Sequence, residues 1–390
     1  MIAYGRQDIS QADIDAVVSV LRSDFLTQGP QVPAFEQAVA NHCHVPHAVA
    51  VNSATSGLHI ACLALGLEPG DWLWTSPITF VASANCALYC GAQVDFVDID
   101  PRTGNMCAAD LAARLADAER DGRLPKIVVP VHFGGQPCDM AQIHQLSQRY
   151  GFKIIEDASH AIGATYMGEP VGNCRYSDCS VFSFHPVKIV TTAEGGVVTT
   201  RSQEVFNKME RLRSHGITRD PSQFVQVPHG PWYYEQVDLG FNYRMTELQA
   251  ALGVSQMGRL RDYIRVRTRL AQLYQAELSD LPLTPLRLLP GRTSAWHLYV
   301  VRLTEQSPVS RQALFNQLRQ AGIGANVHYI PVHLQPYYRK QGFQEGDFPL
   351  AETFYQQAIT LPLHPALSGA DVAHVTQTLH QHLQVLEVAA

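Results

Sequence analysis

No apolar run in this 390-residue chain approaches the ~18 residues that a membrane-spanning helix needs. The start, Met1 to Asp8, lacks the basic residues and apolar stretch of a secretory signal. The cytoplasm is therefore the expected compartment, and no membrane partner is expected. Cysteine is sparse, with eight residues scattered singly from Cys43 to Cys179 and no C-x-x-C pair. The closest spacings, Cys86/Cys90 and Cys174/Cys179, lack a matching second pair or a nearby His. That pattern argues against a disulfide framework and against a zinc site, so no metal is expected. An excess of positive charge is missing too. The formal net charge is −6 and no run of like charges marks a tail, which disfavours a nucleic-acid partner. Internal repeats and low-complexity tracts are absent. No G-x-G-x-x-G follows the first strand-like run, so a nicotinamide-binding Rossmann enzyme lacks support.

What the chain does have is material for a large core. Hydrophobic residues make up 46% and charged residues 16%, a globular composition. The length suits two domains. The first two-thirds alternate short apolar runs with helical patterns. Strands are expected at 48–51, 94–98, 126–131, 152–156, 179–184 and 196–200, with helices at 58–67 and 140–150 between them. Such alternation predicts a largely parallel sheet covered on both faces. Ligands in these sheets gather at the carboxyl ends of the strands. After about Gln256 the pattern changes. A long helix (259–278) leads into a loop over 281–285. Strands at 296–303 and 325–330 and helices at 311–321, before Thr360 and at 369–386 follow. The expectation is a large domain over 1–255 and a smaller α/β domain over 256–390.

Chemistry is then sought just past the strands. Asn52-Ser53-Ala54-Thr55-Ser56-Gly57 follows one strand and opens a helix. Free N–H groups and the helix dipole there suit a phosphate; an ordinary N-cap by Ser53 or Thr55 explains the same residues. Ile154-Ile155-Glu156-Asp157 puts acids at a strand end. An Asp in the crevice could keep a pyridinium nitrogen protonated and strengthen an electron sink, or merely cap a helix. Ser180 to Lys188 ends a strand with an amine. Desolvation beside phosphate-binding groups lowers the pKa of such an amine and makes it nucleophilic toward an aldehyde, although surface lysines are commoner. Glu194-Gly195-Gly196 would permit a tight turn beside a bulky cofactor. Thr79-Phe80, expected to open a helix, offers a ring for stacking, whereas core packing is the usual fate of Phe. The order of the four is the informative part: phosphate cradle, aromatic, strand-end Asp, strand-end Lys. An enzyme using pyridoxal 5'-phosphate (PLP) needs that set.

At this point the chain resembles the DegT/DnrJ/EryC1/StrS sugar aminotransferases, a group within the fold-type I PLP enzymes. The resemblance runs almost end to end. It rests on Leu26 to Pro30, Ser76 to Ala82, Pro130 to Gly135, Glu156 to Ala161, Ser183 to Lys188, Glu194 to Gly196, Gly240 to Met245, Val327 to Tyr329 and Leu361 to Pro365. It implies a large, mostly parallel seven-stranded sheet domain with a smaller C-terminal α/β domain. It implies that Lys188 carries PLP as an imine and that Asp157 pairs with the pyridine nitrogen. Ala54, Thr55 and Ser183 would bind the phosphate, Phe80 would stack on the ring, and His160 would sit near the ring oxygen. Asn242 would reach the cofactor phosphate of a neighbouring subunit, making a homodimer with shared active sites. Tyr4, Asp24, Phe25, Leu26, Thr27, Asn326, Val327, His328 and Tyr329 would meet a nucleotide-linked keto-sugar, and L-glutamate would donate the amine.

Within the group, Asn52 to Ser56, Ser183 to Lys188 and Asn326 to Tyr329 most resemble the branch acting at C-4 of UDP-linked 4-keto-6-deoxy-HexNAc sugars in pseudaminic acid synthesis. Ile189-Val190 departs from the Pro-Ile or Asn-Ile expected after the Lys. Some relatives carry His in place of the Lys and dehydrate instead; Lys188 favours transamination. A PLP-dependent sugar dehydratase, an aminotransferase for another nucleotide-linked keto-sugar and a non-catalytic regulatory protein on the same fold are the alternatives.

Overall fold

The computed structural model describes residues 1–383, so residues 384–386 of the helix expected at the C-terminus lie outside the described residues. Seven strands form the main sheet: β1 His47–Val51, β2 Trp72–Thr75, β3 Gln93–Phe96, β4 Ile127–Val129, β5 Lys153–Asp157, β6 Cys179–Ser183 and β7 Gly196–Thr200. Their spatial order is β1-β7-β6-β5-β4-β2-β3. β7 runs antiparallel to β1 and β6, and the other neighbours pair in parallel.

Period-two alternation sorts the side chains of each strand between two cores. On β4, Ile127 and Val129 join the core beneath α3 (Ala54–Ala64) and α4 (Ala82–Tyr89). Val128 between them joins Trp74 and Ile154 under α5 (Ala108–Asp121) and α6 (Met140–Tyr150). Both faces are covered, so the strands read as unbroken apolar runs.

Six strands point the same way, so the ends of β1, β2, β5 and β6 share one edge of the sheet. Asn52 follows β1, Ser76 follows β2, Asp157 closes β5 and Ser183 closes β6. The antiparallel β7 starts at that edge, with Gly196 paired to both Val51 and Ser183.

The C-terminal part of the chain carries a three-stranded antiparallel sheet, β8 Leu283–Pro285, β9 Tyr299–Leu303 and β10 Ala358–Leu361. Helix α9 (Leu260–Glu277) bridges the two sheets. Its Leu260 and Tyr263 pack against the large-sheet core, and Leu270 and Tyr274 pack under the small sheet.

Three local expectations need correction. The stretch 281–285 is not all loop, since Leu283–Pro285 pairs with β9. The stretch 325–330 is not a strand; a single bridge, Asn326 to Thr360, ties it to β10. The helix expected to open at Thr79-Phe80 starts at Ala82, after a turn in which Phe80 O accepts from the Ser83 N–H at 3.2 Å. Among the described residues, no helix is long and apolar enough to cross a membrane, and all eight cysteines are free.

Candidate active site

A cavity of about 560 Å³ opens where the strand ends meet the small sheet. It gathers Tyr4, Ala54, Thr55, Phe80, Asp157, His160, Ser183, Lys188, Asn326, Val327, His328 and Tyr329 from the residues expected on sequence grounds. Asn242 and the stretch Asp24 to Thr27 do not line it. They lie exposed; Thr27 bridges Thr246 and Leu26 O accepts from the Glu247 N–H at 3.0 Å, while Asn242 bridges Ser214.

Ser53 caps α3, its hydroxyl accepting from the Ser56 N–H at 3.1 Å. Ala54 and Thr55 occupy the first helical turn, where N–H groups lack intrahelical acceptors, and both line the cavity. The loop is pressed onto β7. A Cβ on Gly196 would lie 2.6 Å from Ala54 N and from the carbonyl carbon of Ser53. The glycine read as freedom beside a cofactor thus makes room for the protein's own backbone.

Of the two strand-end acids, only Asp157 faces the cavity. Its Oδ2 accepts from Ser83 Oγ at 2.6 Å and its Oδ1 from the Ser159 N–H at 3.1 Å. Because the single Ser83 proton goes to the carboxylate, the 2.7 Å contact between Ser83 and Thr79 must run from Thr79 to Ser83. Glu156 turns the other way and is sealed by His132 at 2.7 Å, Ser177 at 2.5 Å and Ser180 at 2.9 Å.

The β6–β7 connection is tight. Phe184 donates to Gly195 O and Thr192 to Phe184 O, both at 2.9 Å. Lys188 sits half-buried in this loop. Burial pulls its amine down to about 8, against the opposing pull of Asp157. Burial and the Lys188 charge also hold His160 well below the usual imidazole range and push His328 down to about 3. His160 accepts from the Gly134 N–H at Nδ1, at 3.3 Å, so its proton lies on Nε2, 3.2 Å from the Tyr329 hydroxyl. Phe80 is 60% exposed at the cavity rim, which sets aside core packing as its purpose.

Sequence reasoning missed Ser83 and His297. Ser83 lies four residues beyond Thr79, a spacing visible in the sequence, although Thr79 itself precedes the helix that starts at Ala82. His297 gives no local signal, since it follows a Trp in what reads as a strand.

An anion cradle, a lone amine of lowered pKa, a locked carboxylate and an exposed ring fit PLP in both shape and charge. The comparisons with known proteins decide the matter. The model of the DegT/DnrJ/EryC1/StrS aminotransferase family matches residues 7–380. This chain belongs to that family. It is similar to the UDP-4-amino-4,6-dideoxy-N-acetyl-beta-L-altrosamine transaminase of Campylobacter jejuni subsp. jejuni serotype O:2, 37% identical over 98% of each chain. Helicobacter pylori PseC, an aminotransferase involved in pseudoaminic acid biosynthesis, superposes with a TM-score of 0.90 at 31% identity, over 98% of this chain and 99% of that one. A PLP-form structure of Spr1654 from Streptococcus pneumoniae superposes with a TM-score of 0.88 at 30% identity, over 97% and 98%. The chain is a PLP-dependent sugar aminotransferase on the fold-type I architecture.

Proposed function

We propose that this family member transfers the amino group of L-glutamate to C-4 of a nucleotide-linked 4-keto-6-deoxy sugar of the UDP-4-keto-6-deoxy-N-acetyl-L-altrosamine type, in pseudaminic acid biosynthesis. Lys188 carries the transamination reading: an amine brought to about 8 by burial, in one cavity with Asp157. The altrosamine transaminase and PseC support the sugar branch.

Bound PLP supplies an electron sink for a carbanion next to nitrogen. The chain does the rest. Lys188 would hold the cofactor at rest, and its freed amine would serve as the base for the α-carbon proton of glutamate. Asp157, kept in place by Ser83 and Ser159, would pair with the ring nitrogen and favour its protonated form. Ala54 and Thr55 N–H groups and the Ser183 hydroxyl would hold the phosphate. Phe80 would stack on the ring, and His160 would serve its oxygen. Tyr4, Asn326, Val327, His328 and Tyr329 line the wall left for the sugar.

Among the described lining residues, Lys188 is the one Lys or Arg. A cofactor phosphate and a nucleotide diphosphate together carry more negative charge than one cation balances. Further neutral donors stand exposed outside the cavity at Thr27 and Asn242. Trp232, 69% exposed, with Val225, Val227 and Leu239, adds an apolar surface in the stretch before Asn242, as interfaces do. A homodimer in which this face completes the neighbour's cavity accounts for both observations.

Incubation with PLP, glutamate and a panel of UDP- and dTDP-linked 4-keto sugars tests the reading. One 2-oxoglutarate should appear per amino-sugar, with ping-pong kinetics and preference for the UDP-linked 6-deoxy-HexNAc. Sugar loss of water without glutamate consumption would overturn it. Borohydride should fix the cofactor on Lys188, and Lys188→Ala should abolish turnover.

A further inference from the structure

His297 has no role so far, yet it lines the cavity at 5% exposure. Its position is built from several sides. The Ala295 N–H donates to Gly135 O at 3.0 Å and the Leu298 N–H to Gly134 O at 3.2 Å, clamping the segment against the loop after β4. A Cβ on Gly135 would lie 2.9 Å from Trp296 N and 3.2 Å from His297 N, and Gly135 has φ +110°. Glycine is what lets the two backbones approach. Trp296 takes φ +51°, an uncommon conformation for a bulky residue. Below it, Arg267 reaches out of α9 at 1% exposure. Its Nη1 donates to the carbonyls of Leu363 at 2.8 Å, Trp296 at 3.1 Å and His297 at 3.4 Å. A guanidinium spent on main-chain carbonyls fixes where that main chain sits.

The ring that results lies 4.4 Å from His160, and its Nδ1 is sealed in the interior without a partner. A proton on that nitrogen would be a buried donor with no acceptor, which costs the full desolvation penalty. The neutral ring therefore carries its proton on Nε2, the nitrogen through which it can meet a ligand. Burial first, and then the Lys188 and Arg267 charges, oppose a second proton. Its neighbours are committed: His160 gives its proton toward Tyr329, and His328 has Thr360 Oγ1 2.8 Å from its Nδ1 and the Asn326 amide nitrogen 3.5 Å from its Nε2. His297 holds the free donor of the three.

We propose that His297 gives its Nε2–H to an anionic oxygen of the group bound in this cavity, and that Arg267 is the positioning residue that aims it. The acceptor is the ring oxygen of PLP or the α-carboxylate of the amino donor. This rests on the reading that the cavity takes cofactor and glutamate together.

Protein labelled with ¹⁵N-histidine tests it. In the cofactor-free protein, His297 should show the neutral Nε2–H form at pH values well below 6.5, the ordinary imidazole value. Its Nε2 resonance should then move on adding PLP if the ring oxygen is the acceptor, or only on adding glutamate to the holoenzyme if the carboxylate is. His297→Phe keeps the ring volume and should weaken PLP retention, or raise the glutamate KM, roughly tenfold. Arg267→Lys should shift the His297 resonance and leave that of His328 in place. A His297 that titrates near the ordinary value, a resonance that neither ligand moves, or a folded His297→Phe protein with both constants unchanged would overturn the proposal. Should the Phe variant not fold, the wild-type resonances decide. The first arm needs no cofactor, so its failure belongs to this proposal alone, whereas wild-type protein that takes up no PLP would overturn both readings.

Discussion

At the scale of the residue, two groups carry the proposed chemistry and each can be titrated or trimmed. Only the neutral form of Lys188 attacks an aldehyde. With its pKa at about 8 instead of the ordinary 10.5, the rate of PLP capture by the cofactor-free protein should fall about tenfold per pH unit below 8 and level off above it. Stopped-flow absorbance across that range checks this; a rate still climbing past pH 10 would mean an ordinary lysine. Asp157 depends on its two donors. Ser83→Ala removes one and interrupts the Thr79-to-Ser83 chain, leaving a buried carboxylate underprovided. PLP retention should weaken by roughly tenfold, on the scale of a hydrogen bond to a charged group, and Ser83→Thr should restore most of it. Equilibrium dialysis of the three proteins reads the difference, and equal retention would show that Ser83 is packing alone.

At the scale of the element, the proposed phosphate cradle is a contact between a helix start and a strand. Gly196 sits in register with Val51 and Ser183, and the α3 entry passes directly over it. Gly196→Ala would force Ser53 and Ala54 away from β7, because the obstacle is backbone and cannot rotate aside. The expected cost is about 1–3 kcal/mol of stability, together with weakened PLP binding that Gly369→Ala, whose Cβ meets nothing within 4 Å, would not reproduce. Thermal melts with and without PLP separate the two effects, and an unchanged cofactor affinity in Gly196→Ala would show that the cradle does not depend on this contact. The same elements show what the sequence made legible. β1, β5, β6 and β7 are buried on both faces, so their apolar runs stand out, and the residues just beyond them were found. Trp72–Thr75 went unread, because four residues with two Trp and a Thr lack the aliphatic run that marks the others. The stretch 325–330 reads as a strand from its sequence. The chain there bonds the small sheet at one bridge and turns His328 and Tyr329 into the cavity. Arg267 and His297 were invisible since their meaning comes from carbonyls brought together by folding, not from spacing.

At the scale of the whole molecule, the proposed homodimer makes the cavity of one chain and the exposed face of its neighbour complementary halves. If Asn242 serves the neighbouring subunit, its variant and a Lys188 variant damage different halves of the same site. Co-expressed Lys188→Ala and Asn242→Asp chains would then form mixed dimers. In each mixed dimer one site holds both lesions and the other holds neither. Random pairing makes half of the dimers mixed, each with one intact site of two, so about a quarter of wild-type turnover should return from parents that are inactive or nearly so. The Asp substitution is chosen because it sets a negative charge against a phosphate, where loss of the amide alone would only weaken the contact. Separately tagged chains purified through both tags would isolate the mixed species, raising the recovered fraction to about half. Activity no greater than the sum of the two parents would place Asn242 outside the partner's site and leave each cavity to be completed from its own chain.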